Sequence, residues 1–331
     1  MSYVYITEEN AKLQKKGGKY QVGRNLEVVM SIPEETLEAL TLIGNIQVSA
    51  DAMTSLIKSG VPVTWLSHRG RFFGRLCSIE HVDVFRQKKQ IEMLNSRFSL
   101  CMTRRILEAK IHNQAILLRR YNRRSDVSGI INKIRQINLM EDRVIRAVDR
   151  EKAMGFEGIA ARYYFEALGM LVPEEFRFQK RTRRPPKDPF NAMLSFAYTL
   201  LMYELFVCVE NHGLSPYFGF MHALKNNHPS LVSDLMEEWR VVIVDSMVMS
   251  LINHHEITAE HFTTSEENEG VYLSRDGRNI FIKAYEKKMR TVNRYLGDSK
   301  SYRESLNHQV HAYSQALMAD NADMYEPIML R

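Results

Sequence analysis

Cysteine is scarce in this chain: Cys77, Cys101 and Cys208 are the only three among 331 residues. They are far apart, odd in number and form no CxxC pair, which argues for a reducing compartment and against a structural zinc cluster. No GxGxxG or GxxxxGK(S/T) phosphate loop occurs, so a nucleotide-driven enzyme is disfavoured. A GxSxG hydrolase elbow is missing as well, and there is neither an internal repeat nor a low-complexity tract. Long apolar runs are also wanting. The most apolar stretch, Leu194 to Val209, is interrupted by Glu204 and is too short to span a bilayer, so it is expected to be a buried helix and no membrane is expected as a partner. Met1 to Asn10 is charged and strand-like, so neither a signal peptide nor a transit peptide is expected, and a cytoplasmic chain is expected.

What is present is globular and basic. Apolar residues make up 45% and charged residues 25%, and a chain of this length builds a core without disulfide or metal staples. Forty-five Lys and Arg against 39 Asp and Glu give a net charge of +6, which suggests nucleic acid without demanding it. The distribution says more than the total. Paired arginines such as Arg104-Arg105 and Arg119-Arg120 read as solvated helix faces. The cluster Arg177, Lys180, Arg181, Arg183, Arg184 and Lys187 is different, because it is interleaved with Phe176 and Phe178 and closes on Pro185-Pro186. A basic loop of that kind suits phosphate contacts and base stacking.

The pattern predicts an α+β protein with a small N-terminal β-rich domain (1–76), a linker (77–90) and a larger, mainly α-helical domain (91–331). Tyr3 to Ile6, two runs joined at Gly17-Gly18, Leu26 to Ile32 and Val61 to Leu66 read as strands. Ser49 caps a short helix that Gly60 closes. From Phe85 to Leu168 the period is helical throughout. Asp276-Gly277, between Val271-Tyr272-Leu273 and Ile280-Phe281-Ile282, predicts a hairpin followed by two more helices.

Candidate site residues gather in Gly213 to Arg240, GLSPYFGFMHALKNNHPSLVSDLMEEWR. Ser215-Pro216 pins a turn, His222 follows an apolar run, and Leu231, Leu235, Trp239 and Val242 mark a helix. On that helix Asp234 and Glu238 share a face, one turn apart. A histidine and a carboxylate so placed serve either as metal ligands or as a satisfied polar patch. Upstream, Glu157 stands at the edge of an apolar stripe, Phe156, Ile159, Ala160, Tyr163 and Ala167, with Ala160, Ala161 and Tyr164 one turn on. Small residues there leave room for an ion and a bulky ligand, although a surface glutamate at a helix margin has the same pattern.

Three segments in order, GFEGIAARYYFEAL (155–168), RRPPKDPFNAMLSFAYTLL (183–201) and GLSPYFGFMH followed by SLVSDLMEEWR, carry a resemblance to the CRISPR-associated integrase-nuclease family of spacer acquisition. Weaker similarity extends to IPEETLEALTLIGNIQVS, SGVPVTWLSHRGRFFGRL and GVYLSRDGRNIFIKAYE. The resemblance implies a metal-dependent endonuclease and integrase that joins the 3′-hydroxyl ends of foreign DNA fragments into the repeat array. Its catalytic metal ligands would be Glu157, His222 and Asp234, with Glu238 as a fourth or supporting group. Two carboxylates and an imidazole suit one Mg²⁺ or Mn²⁺ better than zinc. Tyr164, Arg177, Lys180, Arg181, Arg183 and Arg184 would bind DNA near the ion. Further implications are a homodimer formed through the β-rich domain and a small dimeric adaptation protein as partner. Where some relatives carry a further acidic residue one turn before the ligand aspartate, this chain has Leu231. Two other readings of the same residues are a structure-specific repair nuclease and a non-catalytic nucleic-acid scaffold.

Overall fold

The computed structural model describes every residue except 1, 26, 79–81, 126 and 296–297. The chain divides into two compact units, Met1–His81 and Val82–Arg331. In the first, β1 (Ser2–Ile6) lies parallel to β5 (Leu37–Ile43), which lies parallel to β7 (Val63–Leu66), and β8 (Phe72–Leu76) closes that sheet antiparallel. A second sheet runs β4 (Glu27–Pro33), β3 (Lys19–Arg24), β2 (Lys12–Lys16) and β6 (Gln47–Val48). Gly17 and Gly18 make the β2–β3 turn at φ 58° and 70°. Left-handed backbone at both central positions matches the twist of a tight hairpin and is open to glycine without strain.

The sheets and α1 (Ala50–Lys58) share a core of Ile6, Leu13, Tyr20, Val22, Leu40, Leu42, Leu56 and Val63. The Ser49 side chain caps α1 by accepting from Ala52 N at 3.2 Å. At the core's edge Glu34 accepts from Lys15 at 2.7 Å and from Ser55 at 2.6 Å. Those two hydrogen bonds hold its pKa down at about 2.

The second unit is mainly helical. Asp83 caps α2 (Val84–Met93) through Phe85 N and Arg86 N, so the stretch read as linker already contains helix. Then follow α3 (Arg97–Ser125), α4 (Ile130–Ile145) and α5 (Arg150–Leu171), which pack on one another. Gly155 and Gly158 lie inside α5. A glycine costs a helix interior only about 1 kcal/mol, less than the packing of the flanking apolar residues returns.

Asp188 and Pro189 start α6 (Pro189–Asn211), a cap with proline at the first helical position. This helix extends beyond the apolar stretch Leu194 to Val209 at both ends and has the length and composition of a membrane span. Phe190, Leu194, Ala197, Leu201, Leu205 and Val209 are nonetheless buried within the protein, which makes it a core helix. Next come α7 (Ser230–Trp239), a π-helical turn (Arg240–Asp245) and α8 (Ser246–Asn253).

The expected hairpin at Asp276-Gly277 is not formed. Both residues lie in the first turn of α9 (Arg275–Arg290), where Ser274 accepts from Gly277 N at 3.1 Å. Phe281, Ile282, Tyr285 and Met289 are buried at helical spacing, and Asp276 favours the positive end of the helix dipole. Gly277 is demanded by closeness rather than by a turn, since a Cβ there would lie 2.3 Å from the His261 carbonyl oxygen. The strand Val271–Leu273 (β10) pairs instead with β9 (Phe262–Thr264). After β11 (Val292–Tyr295) and β12 (Asp298–Ser301), α10 (Tyr302–Met318) leads to an extended tail.

Candidate metal centre

Asp234, on the buried helix α7, organises the histidine turn. Its Oδ2 accepts from Phe220 N at 2.7 Å and Met221 N at 2.8 Å, and its Oδ1 from His222 N at 2.9 Å and His222 Nδ1 at 2.5 Å. A carboxylate that gathers successive backbone N–H groups fixes the loop as an anion nest does. The wrap is tight at Gly219, where a Cβ would meet Asp234 Oδ2 at 2.4 Å and the Ser230 carbonyl carbon at 2.7 Å. With Nδ1 committed to Asp234, the imidazole presents Nε2 outward, 3.9 Å from Glu237 Oε1.

Glu237, which the sequence analysis did not single out, is the carboxylate beside that nitrogen. It follows Asp234 by three residues, and its Oε2 lies 2.5 Å from Lys110 Nζ and 3.1 Å from Arg240 Nε. The same Lys110 Nζ is 2.5 Å from Glu157 Oε1, reaching from α3 to α5. Glu157, Glu237 and His222 thus border one charged cluster contributed by α5, α7 and the loop before α7. Among the described residues no three Asp, Glu, His or Cys side chains stand in ligating geometry, since Lys110 lies between the two glutamates.

The electrostatics are those of mutual compensation. Burial works against the Lys110 charge, but Glu157 and Glu237 outweigh it and raise the pKa. Burial likewise opposes protonation of His222, and the hydrogen bond and charge of Asp234 reverse the balance and raise it. Burial would push Glu237 up, whereas Arg240, Lys110 and His222 hold it below the ordinary glutamate range. Buried charges of this density persist only when paired.

Glu238 faces elsewhere. The Tyr325 hydroxyl donates to one of its oxygens and Ile328 N donates to the other at 2.8 Å, so the extended C-terminal tail covers it. Burial raises its pKa to about 7. The tail is also tied to α3, where Asn113 Nδ2 donates to Ile328 O at 2.9 Å and Leu330 N donates to Asn113 Oδ1 at 2.7 Å.

The expected DNA contacts separate into two groups. Tyr164 is fully buried and donates to Asp245 Oδ2 at 2.7 Å, while Tyr198 donates to Asp245 Oδ1 at 2.5 Å. Arg181 packs over the Tyr198 ring at 5.5 Å and donates to Asn191 Oδ1 at 2.8 Å and Ser195 Oγ at 3.0 Å. Burial lowers its pKa to about 10. Both residues serve the core behind the cluster, where Arg240 also lies over Tyr198, 4.7 Å away. Lys180, Arg183 and Arg184 are exposed, and Arg177 is exposed but paired with Glu174 at 2.5 Å. The interleaved aromatics anchor the loop rather than offer stacking faces: Phe176 is buried, and Phe178 stacks on Phe190 with centroids 4.6 Å apart.

Comparison with known proteins agrees with this architecture. Residues 4–287 match the family model described as CRISPR associated protein Cas1. A CRISPR-associated endonuclease Cas1 from Thermus thermophilus is 34% identical, over 99% of this chain and 97% of its own length. In a Cas6-RT-Cas1–Cas2 complex, a chain of which this protein spans 36% superposes on all of it with TM-score 0.87 at 25% identity. A casposase bound to integration product shares the fold, with TM-score 0.87 at 21% identity, covering 100% of this chain and 96% of that one.

Proposed function

The chain belongs to the Cas1 family of CRISPR-associated endonucleases, the integrases of CRISPR adaptation, and from that premise we propose that Glu157, His222 Nε2 and Glu237 hold the catalytic cation. The carrying observation is the full commitment of Asp234: both of its oxygens are occupied by N–H donors of the 220–222 segment, so it orients the imidazole instead of meeting the ion. Metal-binding histidines are commonly fixed through their other nitrogen in this way. Two carboxylates and one imidazole fit Mg²⁺ or Mn²⁺ by donor type. Such an ion, when bound, polarises a phosphoryl oxygen and stabilises charge developing on it.

In the reaction, a DNA 3′-oxygen forms a bond to phosphorus in the repeat strand while the bond from that phosphorus to the neighbouring 3′-oxygen breaks. The attacking hydroxyl loses its proton and the departing oxygen gains one. Water in place of the hydroxyl makes the same centre a nuclease. The exposed Lys180, Arg183 and Arg184 bind the DNA backbone, a contact that positions without specifying sequence. The chain works as a cytosolic homodimer with the small dimeric protein Cas2 as partner. Val28, Val29 and Met30 support a β-rich dimer face, because they are exposed in succession on the edge strand β4. The Cas1–Cas2 neighbour supports the partner.

The test offers DNA fragments with or without a free 3′-hydroxyl to a supercoiled plasmid carrying direct repeats. Joined product that requires the hydroxyl, a divalent ion and Glu237 is the expected result. Nicking alone would leave a nuclease without integration.

A further inference from the structure

Lys110 has no place in the chemistry above, yet it touches two of the three proposed ligands. It belongs to a stretch of α3 in which Leu107, Ala109 and Ile111 are core residues, and only 9% of it is exposed. Its ammonium is 2.5 Å from Glu157 Oε1 and 2.5 Å from Glu237 Oε2. Arg240 Nε adds a second positive charge 3.1 Å from Glu237 Oε2. An ammonium bridging two carboxylates occupies the ground that a cation shared by those carboxylates needs. Both positive charges cannot stay there, because like charges at such a separation repel strongly in a low-dielectric pocket.

Resting on the metal-centre reading, we infer that Lys110 is a built-in competitor for the catalytic cation, which keeps Glu157 and Glu237 together in the cation-free protein and must leave at least one of them before the centre loads. A lysine suits this role. Its ammonium is a point charge on an unbranched, flexible stem, so it swings away without moving α3, whereas a planar arginine fork would be harder to displace. Arg240 stays behind as counter-charge to Glu237, held over the Tyr198 ring 4.7 Å away. Loading is thereby opposed until the cation's charge outweighs the ion pairs, and the centre is protected from collapse or carboxylate repulsion meanwhile.

Mn²⁺ binding to the full chain, followed by calorimetry and by the electron paramagnetic resonance of free Mn²⁺, tests this without reference to activity. Lys110→Met and Lys110→Gln are expected to bind Mn²⁺ about tenfold or more tightly than the wild type, the scale on which one adjacent charge changes a carboxylate's affinity for a cation. Unchanged or weaker affinity in both variants overturns the inference. Should the neutral variants be unstable alone, Mn²⁺ is expected to restore the wild-type melting temperature, and failure to do so also overturns it. A wild type that binds no Mn²⁺, or that binds it equally after Glu237→Gln, overturns the metal-centre reading instead.

Discussion

Glu237 and Glu238 are neighbours on α7 and are held by opposite parts of the protein: Lys110 and Arg240 hold the first, and the C-terminal tail, through Tyr325 and Ile328, holds the second. One step along a helix turns a side chain by about 100°. That rotation separates a residue facing the charged cluster from one fastening the helix to the fold.

Glu237→Gln is expected to lower strand transfer by about a hundredfold or more and to weaken Mn²⁺ binding, whereas Glu238→Gln retains Mn²⁺ affinity and lowers stability by about 1–2 kcal/mol. Plasmid joining, Mn²⁺ titration and urea unfolding on both variants separate the two roles. Equal loss of Mn²⁺ affinity in the two would refute the division.

Asp234→Asn puts an amide donor against N–H groups that now find an acceptor. We expect a loss of about 2–3 kcal/mol in unfolding free energy together with a roughly 10–100-fold weaker Mn²⁺ affinity, the usual effect of removing a group that orients a metal-binding histidine. Near-wild-type stability combined with complete loss of binding would instead mark Asp234 as a direct ligand.

Gly219→Ala forces a methyl group into contact with Asp234 Oδ2 and the backbone at Ser230. Overpacking of this kind costs about 1–3 kcal/mol. A melting temperature unchanged within error would show that the 219–222 segment is not wrapped tightly around the carboxylate.

Arg183→Ala with Arg184→Ala is expected to weaken DNA binding and flatten its salt dependence by about 0.9 in the log–log slope for each phosphate no longer neutralised, with little change in stability. Tyr164→Phe removes the hydroxyl that donates to Asp245, so it lowers stability by about 1 kcal/mol and leaves the salt slope alone. Filter binding over a salt series, paired with thermal melts, reads both. A slope altered by Tyr164→Phe would restore that tyrosine to the DNA surface.

Glu34 has a folded pKa of about 2 against an ordinary 4.5, through hydrogen bonds from Lys15 and Ser55. Folding therefore favours its ionised form, and the resulting stabilisation is present above about pH 4.5 and disappears as pH falls towards 2. Carboxyl ¹³C chemical shifts followed against pH should show the low value in the wild type and a return towards the ordinary one in Lys15→Met. A wild-type midpoint near 4.5 would contradict the pairing.

Much of this protein is written locally. Gly17-Gly18, the Ser49 cap and the alternating strands outline the β-rich unit, and the helical period carries the second unit from α2 to α5. Glu157 and His222 were readable as polar residues set against apolar faces, and the family resemblance joined them. Other features depended on which of two local signals prevailed. Asp276-Gly277 has the composition of a hairpin turn, but Ser274 as cap and the buried row Phe281, Ile282, Tyr285 and Met289 drew it into a helix.

The order of residues by itself determined the elements, the basic loop and the placing of a histidine and carboxylates within reach of one another, because caps, periodicity and turn chemistry act over a few residues. Only the tertiary structure decided which part of the fold holds each carboxylate. Asp234, Glu237 and Glu238 all lie within a turn or so of one another, and helical spacing cannot choose among them. The choice comes from partners elsewhere in the chain: the 220–222 backbone claims Asp234, Lys110 from α3 claims Glu237, and Tyr325 from the tail claims Glu238. Lys110 itself had no local signal, since a lysine among apolar helix residues becomes meaningful only when folding brings Glu157 and Glu237 to its ammonium.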